Sequence, residues 1–145
     1  MATSSIIRCA SCGANNRVGA VASGTPRCAK CHEALPWLVN ATSESFDAEV
    51  NSSVPVIVDF WAEWCGPCRA IAPALQSLSA KHASRLKIVK VDCDAHGDLA
   101  QRYQAQSIPL LVLFKDGKEV ARQVGAVPER QIEAWVAPHL ASAKA

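Results

Sequence analysis

The alternation of apolar and polar residues changes character at about Pro36. Beyond that residue, short runs of aliphatic and β-branched side chains are separated by stretches in which apolar residues recur at helical spacing. The runs that predict strands are PVIVDFWA, LKIVKVD, PLLVLF and EVARQV, and KDGK between the last two predicts a tight hairpin turn. The run PVIVDFWA is apolar at every position but one and rich in β-branched residues, which is typical of a strand buried on both faces of a sheet.

The stretches with helical spacing predict four helices. They are SESFDAEV, with Ser43 as the N-cap; the segment from Gly66 and Pro67 to about His82, kinked at Pro73; HGDLAQRYQ; and the segment that Pro128 opens. Helices between strands imply parallel pairing through right-handed crossovers, whereas the closing hairpin adds antiparallel strands. The sequence therefore predicts an α/β fold with a mixed central sheet and helices on both sides.

The first part of the chain has a different amino-acid composition. Residues 1–36 are rich in Cys, Gly, Ala, Ser and Asn and show no sustained helical or strand pattern. A module of this size cannot build an apolar core of its own and needs a staple in order to fold. Trp37, Leu38 and Val39 predict a brief strand or a docking contact that joins the module to the body. We therefore expect two domains, residues 1–36 and residues 37–145.

Composition and charge narrow the class of protein. Half of the 145 residues are apolar and 19% are charged, which is enough for a buried core. The net charge is +2, with +3 on residues 1–36 and −1 on the remainder, and so weak a basic surface argues against a nucleic-acid partner.

Location follows from the apolar segments. The N-terminus has no apolar signal region, and no apolar run reaches the ~18 residues that span a bilayer. The expectation is a cytoplasmic protein without a membrane partner. Cysteines are reduced in that compartment, so paired cysteines there are metal ligands or redox catalysts rather than structural disulfides.

Two Cys-x-x-Cys pairs, Cys9/Cys12 and Cys28/Cys31, lie in the first part of the chain with 15 residues between them. This spacing matches the four-thiolate zinc pattern, because two thiolates on a tight turn reach one Zn²⁺ at about 2.3 Å and a second such turn completes a tetrahedron. The intervening residues predict a hairpin that returns the second pair to the first. Four protein ligands leave no open position, so the predicted Zn²⁺, one per chain, is structural.

Two other prosthetic groups, an iron ion and a haem, are compatible with all or part of this cysteine pattern. A rubredoxin-like iron site has the same four ligands. The stretch CAKCH, from Cys28 to His32, also spells a c-type haem attachment motif, although haem attachment leaves Cys9 and Cys12 without a role. His32 is a possible but redundant zinc ligand, and a solvated side chain is the simpler interpretation.

The third pair, in WAEWCGPCRAIAP, differs in its surroundings. Cys65 follows a buried strand and lies where a helix begins, so backbone N–H groups and the helix dipole favour its thiolate. Cys68 lies one turn into the helix, within reach of Cys65 but less exposed. The sequence predicts that Cys65 attacks a substrate disulfide and that Cys68 resolves the mixed disulfide. Only Cys93 is left over, so no second pair remains to complete a metal site here.

The stretch VDFWAEWCGPCRAIAP resembles the active-site signature of thioredoxins. The resemblance continues through IVKVDCD, SIPLLVLFKDGK and VGAVPERQIEAWV and covers about residues 37–140 in the order of the family. Together with the N-terminal cysteine pattern, it makes the chain similar to the zinc-bearing bacterial subclass usually called thioredoxin 2. The resemblance implies the thioredoxin fold with a small N-terminal zinc-ribbon-like module.

The resemblance also implies roles for particular residues. Asp59 corresponds to the buried carboxylate that moves protons to and from Cys68, and Lys90 to the lysine that modulates this carboxylate. Pro109 corresponds to the cis-proline that faces the disulfide and places the backbone of Ile108 where a substrate strand can hydrogen-bond. The implied contact surface for partner proteins comprises Trp64, Gly66, Pro67, Ile108, Pro109, Gly125 and Ala126.

Two residues depart from this picture or lie outside it. Leu110 follows Pro109, where many thioredoxins have Thr, and we expect a slight effect on substrate preference or redox poise. Cys93 follows a predicted strand and is interpreted as a small apolar core residue rather than a regulatory thiol.

The function that the resemblance implies is reduction of protein disulfides through Cys65 and Cys68 by a monomer. Electrons come from NADPH through a thioredoxin reductase, and the reduction potential is expected near ~−270 mV. The zinc module is a passive clip, a docking surface or an oxidation sensor. The alternative from another class is a thioredoxin-fold adaptor or holdase that uses the zinc module for recognition.

Overall fold

The computed structural model describes residues 4–19 and 25–143 of the chain. In these residues, an N-terminal hairpin precedes a five-stranded sheet and four helices. The strands are β1 (Ser4–Arg8), β2 (Asn15–Gly19), β3 (Leu38–Asn40), β4 (Val56–Trp61), β5 (Lys87–Asp92), β6 (Leu110–Lys115) and β7 (Lys118–Val124). The helices are α1 (Phe46–Val50), α2 (Gly66–Lys81), α3 (Gly97–Arg102) and α4 (Glu129–Ala143). None of the helices in the described ranges is long and apolar enough to cross a membrane.

The five-stranded sheet has the order β3-β5-β4-β6-β7. β3 and β4 pair parallel with β5, whereas β6 pairs antiparallel with both β4 and β7. Asp116 and Gly117 connect β6 to β7 with φ angles of 53° and 78°, as a two-residue hairpin turn with positive φ at both positions requires. The predicted mixed sheet and its closing hairpin are confirmed.

Helices cover both faces of the sheet because β4 is apolar on both. Val58 and Phe60 belong to the same buried cluster as Phe46 of α1. Ile57 points to the opposite face and packs in a second cluster with Leu75 of α2, and α4 contributes to that cluster as well. The carboxyl end of β4 leads directly into the loop before α2, which is where the Cys65/Cys68 pair lies.

The first helix differs from its prediction. Ser43 is not its N-cap, because α1 begins only at Phe46. Thr42 and Ser45 instead exchange hydrogen bonds: the Thr42 N–H donates to Ser45 Oγ at 2.9 Å and the Ser45 N–H donates to Thr42 Oγ1 at 3.1 Å. The Ser43 hydroxyl is turned away and donates to Asp98. In contrast, α2 has its predicted bounds and continues through the exposed Pro73.

The N-terminal hairpin lies in a different place from the one predicted. We expected a hairpin between the two cysteine pairs, but β2 pairs back onto β1 and encloses the first pair, with Arg8 opposite Asn15. An isolated bridge between Arg27 and Ala34 encloses the second pair. Residues 20–24 of the predicted hairpin lie outside the described residues. Alternation does not reveal β2, because its two buried positions are the polar Asn16 and the apolar Val18.

The module and the body share apolar packing. Ile7, Cys9 and Cys28 belong to the same buried cluster as Trp37 and Phe46. Each is at most 5% exposed, so the cluster runs from the cysteine pairs into the body without a solvent gap. Division into two folding units at residue 36 therefore stays a prediction.

Candidate active site and candidate metal centre

The Cys65/Cys68 pair lies at the amino end of α2, a helix of 16 residues. Cys65 is the N-cap residue, and its Sγ accepts a hydrogen bond from the Cys68 N–H at 3.2 Å. A disulfide joins the two residues. In the dithiol form, the same N–H group and the helix dipole stabilise negative charge on Cys65 Sγ. Of the two sulfurs, Cys65 Sγ is therefore the one that lies at the amino end of the helix.

The pair is more enclosed than the sequence indicates. Cys65 is 4% exposed and Cys68 is 2% exposed, so the expected difference in exposure is small in this disulfide form. Trp64 beside them is 70% exposed, and its Nε1 donates to Asp94 Oδ2 at 2.9 Å. This hydrogen bond holds the indole next to the disulfide. Asp94 is a residue that the sequence analysis did not single out, because the contact spans 30 positions.

Asp59 is fully buried in the middle of β4, on the face that packs against α2. Neither carboxylate oxygen has a hydrogen-bond partner among the described residues. The Lys90 ammonium lies 3.9 Å from Asp59 Oδ2 and 4.7 Å from the centre of the Trp61 ring. Burial raises the pKa of Asp59 to about 7, and the charge of Lys90 opposes part of that rise. Asp59 can therefore both hold and release a proton near neutral pH.

The raised pKa of Asp59 predicts how stability depends on pH. The folded state binds one more proton than the unfolded state between the two pKa values, so the free energy of unfolding falls as pH rises. We expect a fall of about 4 kcal/mol from about pH 4 to about pH 7, and no further fall from this group above that range. Asp59→Asn should remove the slope and be the more stable protein above neutral pH.

Urea unfolding of the oxidised protein across this pH range measures the effect. Asp47→Asn is the matched control, since that carboxylate is exposed on α1 and lies 3.1 Å from Arg102. Equal pH slopes in wild type and Asp59→Asn would contradict the assigned pKa.

Ile108, Pro109 and Gly125 of the implied contact surface lie close to the disulfide or to one another. Cys65 Sγ lies 3.8 Å from the carbonyl oxygen of Ile108, and the Ile108–Pro109 peptide bond is cis. The Pro109 carbonyl accepts a hydrogen bond from the Gly125 N–H at 2.9 Å, which brings the β7–α4 loop to the same place. Gly125 has φ of +99°, a conformation that favours glycine. Trp64, Gly66, Pro67 and Ala126 are exposed, Ile108 and Gly125 are half-buried, and Pro109 is buried.

Leu110 and Cys93 belong to the packing rather than to the surface. Leu110 is 2% exposed and lies in the core cluster, so it affects the disulfide only through its neighbours. Cys93 is half-buried and packs against the same cluster. Burial, with help from Asp92 and Asp94, raises the pKa of Cys93 to about 11, so it is a neutral thiol at physiological pH. The interpretation of Cys93 as a small packing residue agrees with this environment.

The sulfur atoms of Cys9, Cys12, Cys28 and Cys31 converge on one point, all within 4.8 Å of one another. The Cys9–Cys31 and Cys12–Cys28 sulfur distances are both 3.6 Å. Four sulfurs bound at about 2.3 Å to a central ion lie about 3.8 Å apart, so the cluster has the size of a four-thiolate metal site. The pKa of Cys28 is lowered to about 6, mainly by a hydrogen bond from the Cys31 N–H. A lowered pKa favours the thiolate that a metal requires.

His32 takes no part in this cluster: it is exposed, with φ of +68° in the turn after Cys31. Asn16, which the sequence analysis missed, does take part. This buried side chain accepts from the Ala29 N–H at 2.9 Å and donates from Nδ2 to the Ala14 carbonyl at 3.2 Å and to Cys28 Sγ at 3.6 Å. It joins the turn of the first cysteine pair to the turn of the second. No local motif marks such a residue, since its partners in the second turn are 12 and 13 positions away.

Comparison with known proteins decides the family. The sequence model of the family described as thioredoxin matches residues 37–138, which is more than half of the chain. The chain belongs to the thioredoxin family. Its Cys65/Cys68 pair makes it a dithiol–disulfide oxidoreductase that acts on proteins, and the predicted fold class is confirmed.

Individual thioredoxins support this assignment. Thioredoxin C-2 of Corynebacterium nephridii is 50% identical over 100 residues, which are 68% of this chain and 93% of that protein. The thioredoxin of Bacillus subtilis is 45% identical over 103 residues, 71% of this chain and 98% of its own. Thioredoxin C-3 of Corynebacterium nephridii is 39% identical over 135 residues, 90% of this chain and 92% of its own, so that match extends into residues before Trp37. The four-cysteine cluster fits the zinc-bearing thioredoxin subclass.

Proposed function

We propose that this thioredoxin reduces disulfides of other proteins with Cys65 as the nucleophile and Cys68 as the resolving thiol. An NADPH-dependent thioredoxin reductase restores the dithiol, and the protein acts in the reducing cytoplasm as a monomer. The observation that carries the proposal is the position of Cys65 Sγ. It caps α2 at 3.2 Å from the Cys68 amide and lies 3.8 Å from the carbonyl oxygen of Ile108, beside the cis peptide bond to Pro109.

The exchange has two steps, and its electrons balance. The Cys65 thiolate attacks one sulfur of the substrate disulfide, that S–S bond breaks, and one substrate thiolate leaves. Cys68 then attacks Cys65 Sγ, the Cys65–Cys68 disulfide forms, and the second substrate thiolate leaves. Two electrons pass from the dithiol to the substrate. Asp59, with a pKa of about 7, accepts the proton of the Cys68 thiol, and Lys90 at 3.9 Å keeps this carboxylate from becoming too basic to release it.

Substrate recognition uses backbone more than side chains. A substrate strand that lies beside Ile108 hydrogen-bonds to the Ile108 backbone, whose carbonyl oxygen lies 3.8 Å from Cys65 Sγ. Trp64, Gly66, Pro67, Gly125 and Ala126 supply the rest of the contact surface. A surface with few charged groups suits many different proteins that share only an accessible disulfide.

The four-cysteine cluster is the proposed site of one Zn²⁺ ion. Cys9, Cys12, Cys28 and Cys31 fill all four tetrahedral positions, so the bound metal supplies a cross-link and no catalysis. Iron in a rubredoxin-like site has the same donor set, and metal analysis distinguishes the two. The cluster lies against the core that includes Trp37, which favours a structural role for residues 1–36.

A coupled assay tests the catalytic proposal. The protein, NADPH and a bacterial thioredoxin reductase are mixed with insulin, and NADPH oxidation is followed with insulin precipitation. We expect NADPH oxidation that depends on both the protein and insulin. Precipitation with dithiothreitol but no NADPH oxidation would reject the reductase as the electron donor. Absence of acceleration with either donor would favour the adaptor or holdase.

A further inference from the structure

The four cysteine residues of the cluster are not equally exposed. Cys9 and Cys28 are 2% and 1% exposed, Cys31 is half-buried, and Cys12 is exposed. The four sulfurs lie close to one another, so a bound metal would occupy the space between them. The difference in exposure to solvent among the four cysteines would remain. A reagent in solution therefore meets Cys12 first.

Hydrogen bonds to the sulfur atoms also distinguish the buried cysteines from Cys12. Cys9 Sγ accepts the Cys12 N–H at 3.4 Å, and Cys28 Sγ accepts both the Lys30 N–H at 3.4 Å and Asn16 Nδ2 at 3.6 Å. In a metal site all four cysteines are already thiolates, so N–H donors no longer raise the thiolate fraction and only draw charge from the sulfur, which makes it a weaker nucleophile. The two buried sulfurs are thus shielded twice, by packing and by these donors.

A concave surface of about 510 Å³ opens above the first cysteine pair. Its lining residues are Arg8, Cys9, Ala10, Ser11, Cys12 and Gly13. The Arg8 side chain folds across the turn, so that a Cβ atom on Gly13 would lie 3.3 Å from Arg8 Nη2. The volume admits a small thiol reagent, and the guanidinium gives the wall a positive charge. Both features favour an anionic reagent at Cys12.

We propose that Cys12 is the reactive sulfur of the four-cysteine cluster and that its partner is a small disulfide bearing carboxylates, of the kind represented by glutathione disulfide. This inference rests on the proposed metal site. In the first step, the Cys12 thiolate attacks one sulfur of the small disulfide. The disulfide bond breaks, one small thiolate leaves, and Cys12 carries the other half as a mixed disulfide.

Cys28 completes the reaction. Its Sγ lies 3.6 Å from Cys12 Sγ, and Asn16 holds it in place through the bond to Nδ2. The Cys28 thiolate attacks Cys12 Sγ, the Cys12–Cys28 disulfide forms, and the second small thiolate leaves. Two thiolates of the cluster are oxidised and one small disulfide is reduced. Two of the four ligands are lost together, so metal release should follow the appearance of this disulfide.

Full-length wild-type protein with its Cys65–Cys68 disulfide formed is the material for the test. Its metal content is measured first, and glutathione disulfide is then added in less than equimolar amount. Peptide mass spectrometry locates each modified cysteine, and a chromogenic chelator follows zinc release. We expect Cys12 to be modified about ten-fold faster than Cys9, Cys28 or Cys31, with zinc release in step with the Cys12–Cys28 disulfide.

Matched arginine variants test the charge of the concave surface. Arg8→Ala should slow the reaction with glutathione disulfide several-fold at low ionic strength but leave the reaction with neutral hydroxyethyl disulfide unchanged. Arg17→Ala removes the same charge from the neighbouring strand without altering the lining of the concave surface, so it should affect neither reaction.

The outcomes separate this inference from the metal site itself. First modification at another cysteine, equal modification of all four, or no modification of the cluster would each overturn it. Purified protein without metal on these cysteines would reject the metal site, but the order of modification is measured in the same experiment and still decides whether Cys12 is the reactive sulfur.

Discussion

Cys65→Ser is expected to abolish disulfide reduction, with a fall in rate of more than about a thousand-fold. A serine hydroxyl at the amino end of α2 receives the same N–H group from Cys68, but it stays protonated at neutral pH and does not exchange with disulfides. The assay is insulin precipitation with dithiothreitol, where wild type should shorten the lag and Cys65→Ser should match the reaction without protein.

Cys68→Ser is the matched variant, because it should lose turnover while keeping the first step. Cys65 still attacks the substrate, but no thiol resolves the mixed disulfide, so covalent complexes with substrate proteins accumulate. Non-reducing electrophoresis and mass spectrometry detect them. Cys65→Ser should form none. Complexes with Cys65→Ser and none with Cys68→Ser would reverse the assigned roles.

Cys93→Ser controls for the loss of a thiol elsewhere. Cys93 is half-buried with a raised pKa, so its replacement should leave the rate of insulin reduction unchanged. Serine differs from cysteine by a single atom, and circular dichroism should show all three variants folded. A large loss of rate in Cys93→Ser would show that exchange involves a third thiol.

The elements around the redox pair could be predicted because they depend on local pattern. The run PVIVDFWA is apolar in every position but one, and β4 is buried over nearly its whole length. Gly66 and Pro67 after this strand predict a helix start, and Cys65 is the N-cap of α2. Asp59 is the one charged residue in this run, and the structure places it as a buried carboxylate beside Lys90.

Features that depend on distant partners could not be predicted. Lys87 is the first residue of β5, and nothing in the sequence indicates that this lysine is buried. In the structure its side chain is fully buried, and its Nζ donates to Glu49 Oε1 at 2.7 Å. The same Nζ lies 4.4 Å from the centre of the Trp37 ring. Asn16 joins the two cysteine turns in a similar way. In both cases a polar side chain is satisfied by residues more than ten positions away, which periodicity does not reveal.

Removal of the proposed zinc ion is expected to unfold the β1–β2 hairpin and the turns that carry the four cysteines. Of the described side chains of β1 and β2, the buried aliphatic ones are Ile7 and Val18. So small an apolar contribution cannot order the module by itself. In a module of this size, the free energy of metal binding is free energy of folding. Without the metal, the remaining apolar contacts are too few to keep the hairpin ordered.

The body of the fold should lose stability but stay folded. Leu35 and Trp37 are at most 1% exposed and lie in the core cluster shared with Cys28, so unfolding of the cysteine turns uncovers them. β4, β5 and β6 form the centre of the five-stranded sheet, which is a separate sheet from the β1–β2 hairpin. We therefore expect a lower melting temperature and a changed tryptophan fluorescence, with the Cys65/Cys68 pair still able to reduce insulin.

Hydrogen exchange measured by mass spectrometry locates the change. After chelation, amides of β1, β2 and the turns at Cys9 and Cys28 should exchange rapidly, whereas those of β4 and β6 stay protected, and addition of zinc should restore the first group. Cys28→Ala should reproduce the metal-free pattern without a chelator, because it removes a ligand that is 1% exposed. If metal analysis shows complete removal and the hairpin amides remain protected, the hairpin is held by packing on the body, and the metal is not the staple that so small a module requires.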